Sequence, residues 1–164
     1  MVLDYLRLGS ETNDLVIKTY NLDELIRESI RKFSSMFIYR KLKLNFEPTN
    51  RKIVTDKKWF ACILEQLLSN AIKYTPAGTI TIRVDERERL LISDTGIGIE
   101  QEDLPRIFEK GYTGSNGRIG QNSSGLGLYL VKKAADMLAI SIFIESKVGK
   151  GSTFIVDINQ KNRQ

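Results

Sequence analysis

One aspartate, Asp94, ends an apolar run and is followed at once by two glycines, Gly96 and Gly98, one residue apart. An ionised carboxylate at the end of a buried strand is costly unless hydrogen-bond donors satisfy it. The exocyclic amino group of a purine is such a donor, and a charge-assisted bond to it would distinguish adenine from guanine. The glycines lack Cβ atoms, so a flat ligand can lie against the backbone there. An ordinary turn, in which Asp94 bonds its own backbone, explains the same residues equally well.

The glycine pairs of this chain do not match the two common phosphate-binding fingerprints. A dinucleotide-binding loop needs a third small residue three places after its second glycine, and Gln101 and Leu130 stand there. No G-x-x-x-x-G-K-[ST] occurs, which excludes a P-loop. The stretch SSGLGL (123–128) instead opens a predicted helix, whose free N–H groups and partial positive charge attract phosphate. A plain helix capped by Ser124 is the competing interpretation.

A polar stripe runs along a helix predicted over residues 56–74. Gln66, Asn70 and Lys73 recur on one face at i, i+4 and i+7, beside a wide apolar face. An amide oxygen from Asn70 suits Mg²⁺ beside a triphosphate, because that ion takes few protein ligands and keeps phosphates and waters. Lys73, one turn on, would reach a phosphate directly. A helix face that merely meets solvent is the alternative.

The composition narrows the remaining chemistry. The 164 residues are 41% hydrophobic, with 25 Lys+Arg against 20 Asp+Glu, which fits one compact domain and no block of charge typical of nucleic-acid binding. No apolar run approaches the ~20 residues of a membrane helix. Histidine is absent, which removes the commonest general base and zinc ligand. The one cysteine, Cys62, excludes an internal disulfide and is expected to be buried and unreactive.

The elements that must position these residues follow from the periodicity of the chain. The predicted segments are a strand over 14–21, a helix from 22 to about 37 capped by Asn21, strands over 42–47 and 51–56, the helix over 56–74, a hairpin over 78–94, a helical turn over 102–108, a long loop over 109–124, a helix from 125 and a closing hairpin over 139–158. This order predicts an α+β two-layer sandwich, in which about three helices cover one face of a mixed, largely antiparallel sheet.

These motifs, in this order, resemble the catalytic ATP-binding domain of bacterial sensor histidine kinases. That domain has the Bergerat ATP-binding fold of the wider GHKL superfamily, which includes gyrase, heat-shock chaperone and mismatch-repair ATPases. The matching stretches are EQLLSNAIKYTP (65–76) for the N box, DTGIGI (94–99) for the G1 box, IFEKGY (107–112) for the F box, SSGLGLYL (123–130) for the G2 box and GKGSTF (149–154) for the turn and strand that close the sheet. The similarity covers about residues 15–160.

The resemblance implies a role for each matching residue. Asn70 would hold Mg²⁺, Lys73 would contact phosphate, and Tyr74 would stack on adenine. Asp94 would bond the adenine amino group, and Thr153 would support Asp94 through water. The further residues implied to line the nucleotide pocket are Gly96, Gly98, Ile99, Tyr112, Leu126 and Leu128.

The resemblance also implies that the long loop up to Ser124 is an ATP lid. Phe108 would anchor its hinge, and Gly125 and Gly127 would present backbone N–H groups to the phosphates. The candidate phosphate contacts in or beside the loop are Lys110, Arg118 and Gln121.

Gln66 stands where these kinases commonly carry a second asparagine, so its part as a second Mg²⁺ ligand stays open. Hydrolysing relatives have a glutamate there that activates water. Glutamine cannot act as that base, and Glu65 is turned ~100° away around the helix. This departure favours phosphoryl transfer to a protein acceptor over fast hydrolysis.

The family's acceptor histidine lies on a preceding dimerisation domain, and MVLDYLRLG (1–9) resembles the end of its second helix. We therefore expect residues 1–13 to be the end of that helix and a linker, 14–160 to be the ATP-binding catalytic domain, and 161–164 to be a disordered tail. The chain would bind ATP without phosphorylating itself. The longer protein would be a membrane-anchored homodimer that signals to a response regulator from the cytoplasm, whereas this piece alone would be monomeric and bind no nucleic acid.

Three other functions stay open at this point. A stand-alone protein-serine kinase of the anti-sigma type shares the pocket, but the helical stub before Asp14 disfavours it. An ATP-driven clamp like the gyrase relatives is disfavoured by Gln66. A degenerate module that has lost ATP would be distinguished by titration with ATP and GTP.

Overall fold

A computed structural model describes residues 15–112 and 125–159 of the chain, and these residues form seven strands and four α-helices. The strands are β1 (Ile17–Asn21), β2 (Lys43–Phe46), β3 (Lys52–Asp56), β4 (Thr79–Val84), β5 (Arg89–Asp94), β6 (Ser141–Lys147) and β7 (Gly151–Asp157). The helices are α1 (Leu22–Lys32), α2 (Ser34–Tyr39), α3 (Lys57–Lys73) and α4 (Gly127–Leu138), with a 3₁₀ turn at Leu104–Arg106.

Five of the strands form the main sheet, in the order β2-β4-β5-β7-β6. All neighbouring pairs are antiparallel except β2 and β4, which are parallel. The other two strands, β1 and β3, pair with each other in a separate sheet. β2 and β3 thus belong to different sheets, although only residues 47–51 separate them in sequence. The predicted α+β fold with a mixed, largely antiparallel sheet is confirmed.

The first predicted helix is two helices in the structure. Asn21 caps α1 as predicted, because its side chain accepts a hydrogen bond from the Glu24 amide at 3.1 Å. The helix ends at Lys32 rather than continuing to Phe37. Phe33 forms the junction, and α2 begins at Ser34.

The central element is α3, which packs against α1, α4 and β5. Asp56 caps it by accepting a hydrogen bond from the Trp59 amide at 3.0 Å, and its other oxygen accepts one from the Val16 amide at 2.9 Å. Large side chains such as Phe60 and Leu67 are completely buried, and each such burial stabilises the fold by ~1.5–3 kcal/mol. The core therefore fixes the helix that carries the polar stripe.

The described part of the chain contains no helix that is both long and apolar enough to cross a membrane. Cys62 is completely buried, as expected, and this burial raises the pKa of its thiol to about 12. The segments 1–13 and 161–164 lie outside the described residues, so the domain boundaries stay predictions.

Candidate functional site

Asp94 lies at the end of β5, between β4 and β7, and only 8% of it is exposed. Two backbone amides donate to the same carboxylate oxygen, Oδ1: that of Gly96 at 2.9 Å and that of Ser152 at 3.2 Å. Burial raises the pKa of Asp94 above its ordinary value, and these two hydrogen bonds oppose the rise without cancelling it. Both amides converge on Oδ1, and a hydrogen bond from the Thr75 side chain also lowers the pKa of this carboxyl. A carboxylate offers about four acceptor positions, so the group can still accept a hydrogen bond from a ligand.

The alternative interpretation of Asp94 as a local turn residue is correct only in part. The bond from Gly96 is the expected one, two residues along the chain. The bond from Ser152 crosses to a neighbouring strand, and the carboxylate is buried, which a surface turn does not require. The surroundings of Asp94 are therefore those of a fixed and buried acceptor.

The glycine-containing loop after Asp94 is clamped between two other segments. The Ile97 amide donates to the Tyr74 carbonyl at 3.0 Å, and the Gly149 amide donates to the Ile97 carbonyl at 2.9 Å. A Cβ at Gly96 would overlap the Tyr74 carbonyl, and one at Gly98 would overlap the backbone of the β6–β7 turn. Both glycines therefore allow close approach of backbones, and this approach brings the end of α3 to Asp94.

The structure contradicts the predicted support of Asp94 by Thr153. In the β5–β7 register Asp94 pairs with Ser152, whereas Thr153 pairs with Ser93. The Thr153 and Ser93 hydroxyl oxygens lie 2.9 Å apart, on the opposite face of the sheet from Asp94 because side chains alternate along a strand. Ser152 is the residue that contacts Asp94, and its hydroxyl lies 2.7 Å from that of Ser146.

The polar stripe of α3 faces the start of α4. Gln66 is 8% exposed and lies beside Gly127, the first residue of α4. If Gly127 had a Cβ, that atom would lie only 3.0 Å from the Gln66 Oε1. Asn70 and Lys73 are half-buried further along the helix, and burial lowers the pKa of Lys73. The Lys73 ammonium lies 5.5 Å from the ring centroid of Tyr74, the next residue.

Glu65 has a different environment from the stripe beside it. It is 1% exposed and pairs with the Lys32 ammonium on α1. The predicted rotation of this carboxylate away from Gln66 is therefore confirmed, and Glu65 is not oriented to activate a water at the stripe.

Helix α4 begins at Gly127, two residues later than predicted, and its N-cap residue Leu126 makes no side-chain capping bond. The Gly111 amide donates to the Gly125 carbonyl at 3.0 Å, so the two ends of the predicted lid meet. Gly125 has φ +71°, and a Cβ there would collide with the Gly111 backbone. The predicted capping residue Ser124 and the lid residues Arg118 and Gln121 lie outside the described residues.

Aromatic contacts hold the segment that leads into the lid. Phe108 packs edge-on against Phe154 of β7, with ring centroids 6.4 Å apart. The Tyr112 hydroxyl donates to the buried Asp103 carboxylate, which raises the pKa of the Tyr112 hydroxyl, and the Arg106 guanidinium lies 4.4 Å from the Tyr112 ring centroid. These contacts fit Phe108 as the anchor of the hinge.

Three further predicted site residues contact neighbouring segments. The Lys110 ammonium is 5.7 Å from the Tyr129 ring centroid at the start of α4. The Ile99 amide donates to the Ser146 hydroxyl at 2.8 Å, and the Leu128 side chain packs against the core.

Sequence reasoning missed Thr75 and Ser152. Ser152 sits inside the recognised closing motif, but only the strand register shows that it is the residue beside Asp94. Thr75 is completely buried, and its hydroxyl lies near enough to Asp94 to lower that carboxyl's pKa. A threonine directly after a helix gives no local signal of such burial.

Residues 55–162, more than half of the chain, match the family described as histidine kinase-, DNA gyrase B-, and HSP90-like ATPase. The chain therefore belongs to this family of ATP-binding domains. Within the family its relatives are sensor kinases, and the chain is an ATP-binding catalytic domain of the sensor histidine kinase type.

The relatives that support this assignment come from three bacteria. The sensor protein BceS of Halalkalibacterium halodurans is 37% identical over 159 residues, which cover 95% of this chain and 48% of BceS. BceS of Bacillus subtilis is 37% identical (96% and 48% covered), and the sensor histidine kinase GraS of Staphylococcus haemolyticus is 36% identical (95% and 46%). The chain spans about half the length of these relatives.

A solved structure supports the same assignment. The catalytic domain of the histidine kinase ThkA matches with a TM-score of 0.75 at 25% identity, over 88% of this chain and 97% of that one.

Proposed function

We propose that this domain holds Mg²⁺-ATP and presents its γ-phosphoryl group to a histidine on a dimerisation domain of the same longer protein. The observation that carries the proposal is the buried Asp94 carboxylate, whose Oδ1 is fixed by two backbone amides and which retains acceptor capacity for a ligand. The solved structure of full-length ShkA, which has a similar fold with a TM-score of 0.73, is a complex with AMPPNP, and we extend that class of ligand to this chain.

Asp94 would select adenine by charge and hydrogen-bond polarity. The 6-amino group of adenine donates to a carboxylate, whereas guanine presents a carbonyl oxygen at the same ring position. With guanine bound, the Asp94 carboxylate and the guanine carbonyl oxygen would face each other in a buried site, and neither would have a donor. This loss of hydrogen bonds would weaken guanine binding strongly. The raised pKa of Asp94 fits a group whose ionised form is completed by a ligand.

Asn70, Gln66 and Lys73 would serve the triphosphate and its metal. Among residues 15–112 and 125–159, no group of three His, Cys, Asp or Glu stands together to hold a metal ion. A metal here would therefore take amide oxygens from α3 and oxygens from the phosphates, a donor set that suits Mg²⁺. When bound, Mg²⁺ would neutralise phosphate charge. Burial disfavours the charged form of Lys73 and so lowers its pKa. A phosphate beside the ammonium would favour that charged form and offset the effect of burial.

Transfer would need alignment and charge neutralisation more than side-chain chemistry from this domain. A ring nitrogen of the acceptor histidine would attack the γ phosphorus, the bond to the β,γ-bridging oxygen would break, and ADP would leave. Glu65 is bonded to Lys32, so we expect hydrolysis by this chain alone to be slow. Lid closure over the nucleotide would couple occupancy to docking on the acceptor domain.

The longer protein would be a membrane-anchored homodimer. This domain would lie on the cytoplasmic side, and the phosphoryl group would pass from the histidine to a response regulator. The names of the relatives, sensor proteins and sensor histidine kinases, favour this function over the stand-alone serine kinase.

Calorimetry with ATP, ADP and GTP in the presence of Mg²⁺ tests the nucleotide site. We expect the adenine nucleotides to bind and GTP to bind roughly 100-fold more weakly or not at all. Absence of heat with ATP and ADP would contradict the proposal and favour a module that has lost its nucleotide.

Incubation of this chain with labelled ATP and the separately purified dimerisation domain of a relative tests the transfer. We expect the label on the added domain as an acid-labile, base-stable phosphohistidine, and none on this chain. A stoichiometric phosphoserine instead would support the serine-kinase alternative.

A further inference from the structure

The last turn of α2 exposes large apolar side chains on a rigid support. The Lys41 amide donates to the Ile38 carbonyl at 3.1 Å, and the Leu42 amide donates to the Phe37 carbonyl at 3.0 Å. With φ +54° at Lys41, these two bonds form a Schellman motif, a common closed end of an α-helix. Phe37 and Leu42 belong to the hydrophobic core and fix the turn from inside. On the outer side of the turn, Ile38 is 76% exposed and Tyr39 is 85% exposed.

Positive charge surrounds these apolar side chains. Residues 29–46 contain five lysines and arginines and no acidic residue, whereas the whole chain has 20 acidic residues against 25 basic ones. Lys41 and Lys43 are both exposed. Lys43 begins β2, which pairs with β4, and residues 75–84 beside it also lack acidic residues. We refer to residues 36–43 as the basic tip.

Two of the five cations in this segment are held against the domain. Lys32 pairs with a buried carboxylate on α3. The Arg40 guanidinium donates to the Ile72 carbonyl at 2.7 Å, which joins the tip to the last turn of α3. Lys41 and Lys43 are therefore the lysines that a partner would meet beside the exposed apolar side chains.

We propose that the basic tip docks this domain on the surface of an anionic phospholipid bilayer. Lys41 and Lys43 lie at the negatively charged headgroups, which attract cations close to the surface. Ile38 and Tyr39 insert between the headgroups, a depth that suits tyrosine because its ring is apolar and its hydroxyl is polar. The inference goes beyond the proposed function, because this surface needs no nucleotide.

A bilayer fits this surface better than a protein partner does. Single exposed apolar residues are common on protein surfaces, but three large ones, Met36, Ile38 and Tyr39, are exposed here within one helical turn. A stable protein–protein interface takes about 20 residues from each side, many more than the tip offers. A lipid surface needs no complementary shape, and its attraction grows with the apolar area inserted and with the cationic charge beside it.

Docking through so few side chains is weak for the domain alone. In a protein that is anchored in the same membrane, the effective concentration of lipid is high, so a weak contact is sufficient. The bond between Arg40 and Ile72 connects the tip to the helix that carries Asn70 and Lys73. Docking therefore orients the candidate nucleotide site relative to the bilayer.

Sedimentation of the 164-residue chain with vesicles, without nucleotide, tests the charge of the tip. Vesicles of phosphatidylcholine alone are compared with vesicles of equal parts phosphatidylcholine and phosphatidylglycerol. The salt concentrations are about 0.1 M and about 1 M, at which the screening lengths are roughly 10 and 3 Å. The charge variant is Lys41→Gln with Lys43→Gln. Its matched control, Lys18→Gln with Lys52→Gln, removes the same charge from exposed positions of β1 and β3.

Tryptophan fluorescence tests insertion at the tip. Tyr39→Trp places a reporter there, and Phe143→Trp places one on β6, at the opposite edge of the main sheet from β2. Phe143 is also an exposed aromatic residue, and the native Trp59 is buried and contributes the same background to both variants. Lys41→Gly separates the surface from the fold, because glycine adopts the positive φ of this position without cost.

We expect the wild type to sediment with the anionic vesicles at the lower salt concentration, and not with phosphatidylcholine alone or at the higher one. A lysine near an anionic surface contributes about fivefold to the affinity, so the charge variant should bind roughly 25-fold more weakly and its control almost as well as the wild type. The emission of Tyr39→Trp should shift to shorter wavelength on anionic vesicles, whereas that of Phe143→Trp should not. Lys41→Gly should bind more weakly while unfolding at or above the wild-type temperature.

Three results overturn the assignment. The first is a wild type that does not sediment with anionic vesicles, and the second is equal weakening by the charge variant and its control, since binding would then follow net charge. The third is an emission shift for Phe143→Trp without one for Tyr39→Trp. If vesicles do not bind but the charge variant transfers less label to an added acceptor domain than its control does, the tip contacts a protein instead. Calorimetry with ADP tests the nucleotide site separately, so the two failures are distinguishable.

Discussion

Asp94 is subject to two opposing demands, because the burial that fits it to a ligand also makes its charge costly. Burial raises its pKa, and the amides of Gly96 and Ser152 oppose that rise. A carboxyl whose pKa is higher in the folded than in the unfolded protein costs stability when it is ionised. That cost is present at neutral pH and disappears as the pH falls through the raised pKa.

Asp94→Asn should therefore separate stability from binding. The amide oxygen of asparagine can still accept the two backbone bonds, so we expect the free energy of unfolding at pH 7 to be unchanged or increased. The gain should shrink as the pH falls toward 4. Loss of the charged acceptor should weaken ADP binding about 10- to 100-fold. Urea unfolding at several pH values and calorimetry measure the two effects.

Asp85→Asn is the matched control for the sign of this effect. Burial raises the pKa of Asp85, but hydrogen bonds from the Arg89 side chain and backbone lower it further, so the net pKa is depressed. Its stabilisation is present at neutral pH and is lost as the pH falls through the depressed pKa. We therefore expect Asp85→Asn to destabilise at pH 7 with ADP affinity unchanged. Destabilisation by both variants would contradict the account of Asp94.

At the scale of elements, two ion pairs join α1 to α3 but have different surroundings. Lys32 pairs with Glu65, which is almost completely buried, whereas Lys57 pairs with the half-exposed Glu28 at 3.3 Å. Removing the cation from the first pair deletes an ion pair whose carboxylate is buried. Removing it from the second leaves a solvated one.

Lys32→Met should destabilise the domain more than Lys57→Met. We expect a loss of about 1–2 kcal/mol for the first, below the full cost of a buried pair because Lys32 is itself half-exposed. The second should stay within about 0.5 kcal/mol of the wild type. Urea unfolding measures both, and equal losses would mean that Glu65 is as well solvated as Glu28.

The two ends of the predicted lid meet at a pair of glycines, and three alanine variants test that contact. Gly111, Gly125 and Gly149 all have positive φ, between +71° and +80°, but only at Gly125 would a Cβ meet a neighbouring backbone. The shared conformational cost of alanine is about 1–2 kcal/mol. Gly149→Ala and Gly111→Ala should show this cost alone.

Gly125→Ala should in addition weaken nucleotide binding, because it separates Gly125 from Gly111 just before the amides of α4. We expect the affinity for ADP to fall more for Gly125→Ala than for Gly111→Ala or Gly149→Ala, as measured by calorimetry. Equal affinities in all three variants would mean that the contact between Gly111 and Gly125 does not shape the site.

Local patterns were enough to predict the helix stripe, the buried Asp94 and the sheet class, because each depends on residues near in sequence. The errors about the site involve contacts between distant segments. The resemblance implies Thr153 as the support of Asp94, whereas the strand register brings Ser152 there. A shift of one residue moves a side chain to the other face of a strand, and only the pairing with β5 fixes that register. β2 pairs with β4, although β3 and α3 lie between them in sequence. The short connection between β2 and β3 gives no sign of this pairing. The burial of Thr75 likewise depends on the loop of Gly96.

At the scale of the whole molecule, the site joins segments that are far apart in the chain. The end of α3, the loop after β5 and the β6–β7 turn are linked through Ile97, which bonds Tyr74 on one side and Gly149 on the other. The start of α4 lies beside Gln66 of α3. A ligand that contacts all of these segments binds only the folded protein, so its binding free energy adds to the stability of the entire domain.

Adenine nucleotide should therefore raise the unfolding temperature of the whole domain as one transition. At a free concentration of 100 times Kd, ADP contributes ~2.7 kcal/mol, which corresponds to about 5–10 °C for a domain of this size. GDP at the same concentration should give little shift, and Asp94→Asn should lose at least about half of the shift from ADP while unfolding without ligand at or above the wild-type temperature. Calorimetric melts measure these differences. A second transition insensitive to ADP would show that β1 and β3 unfold apart from the main sheet. Equal shifts with ADP and GDP would show that the nucleotide is bound through its phosphates and that Asp94 does not distinguish the bases.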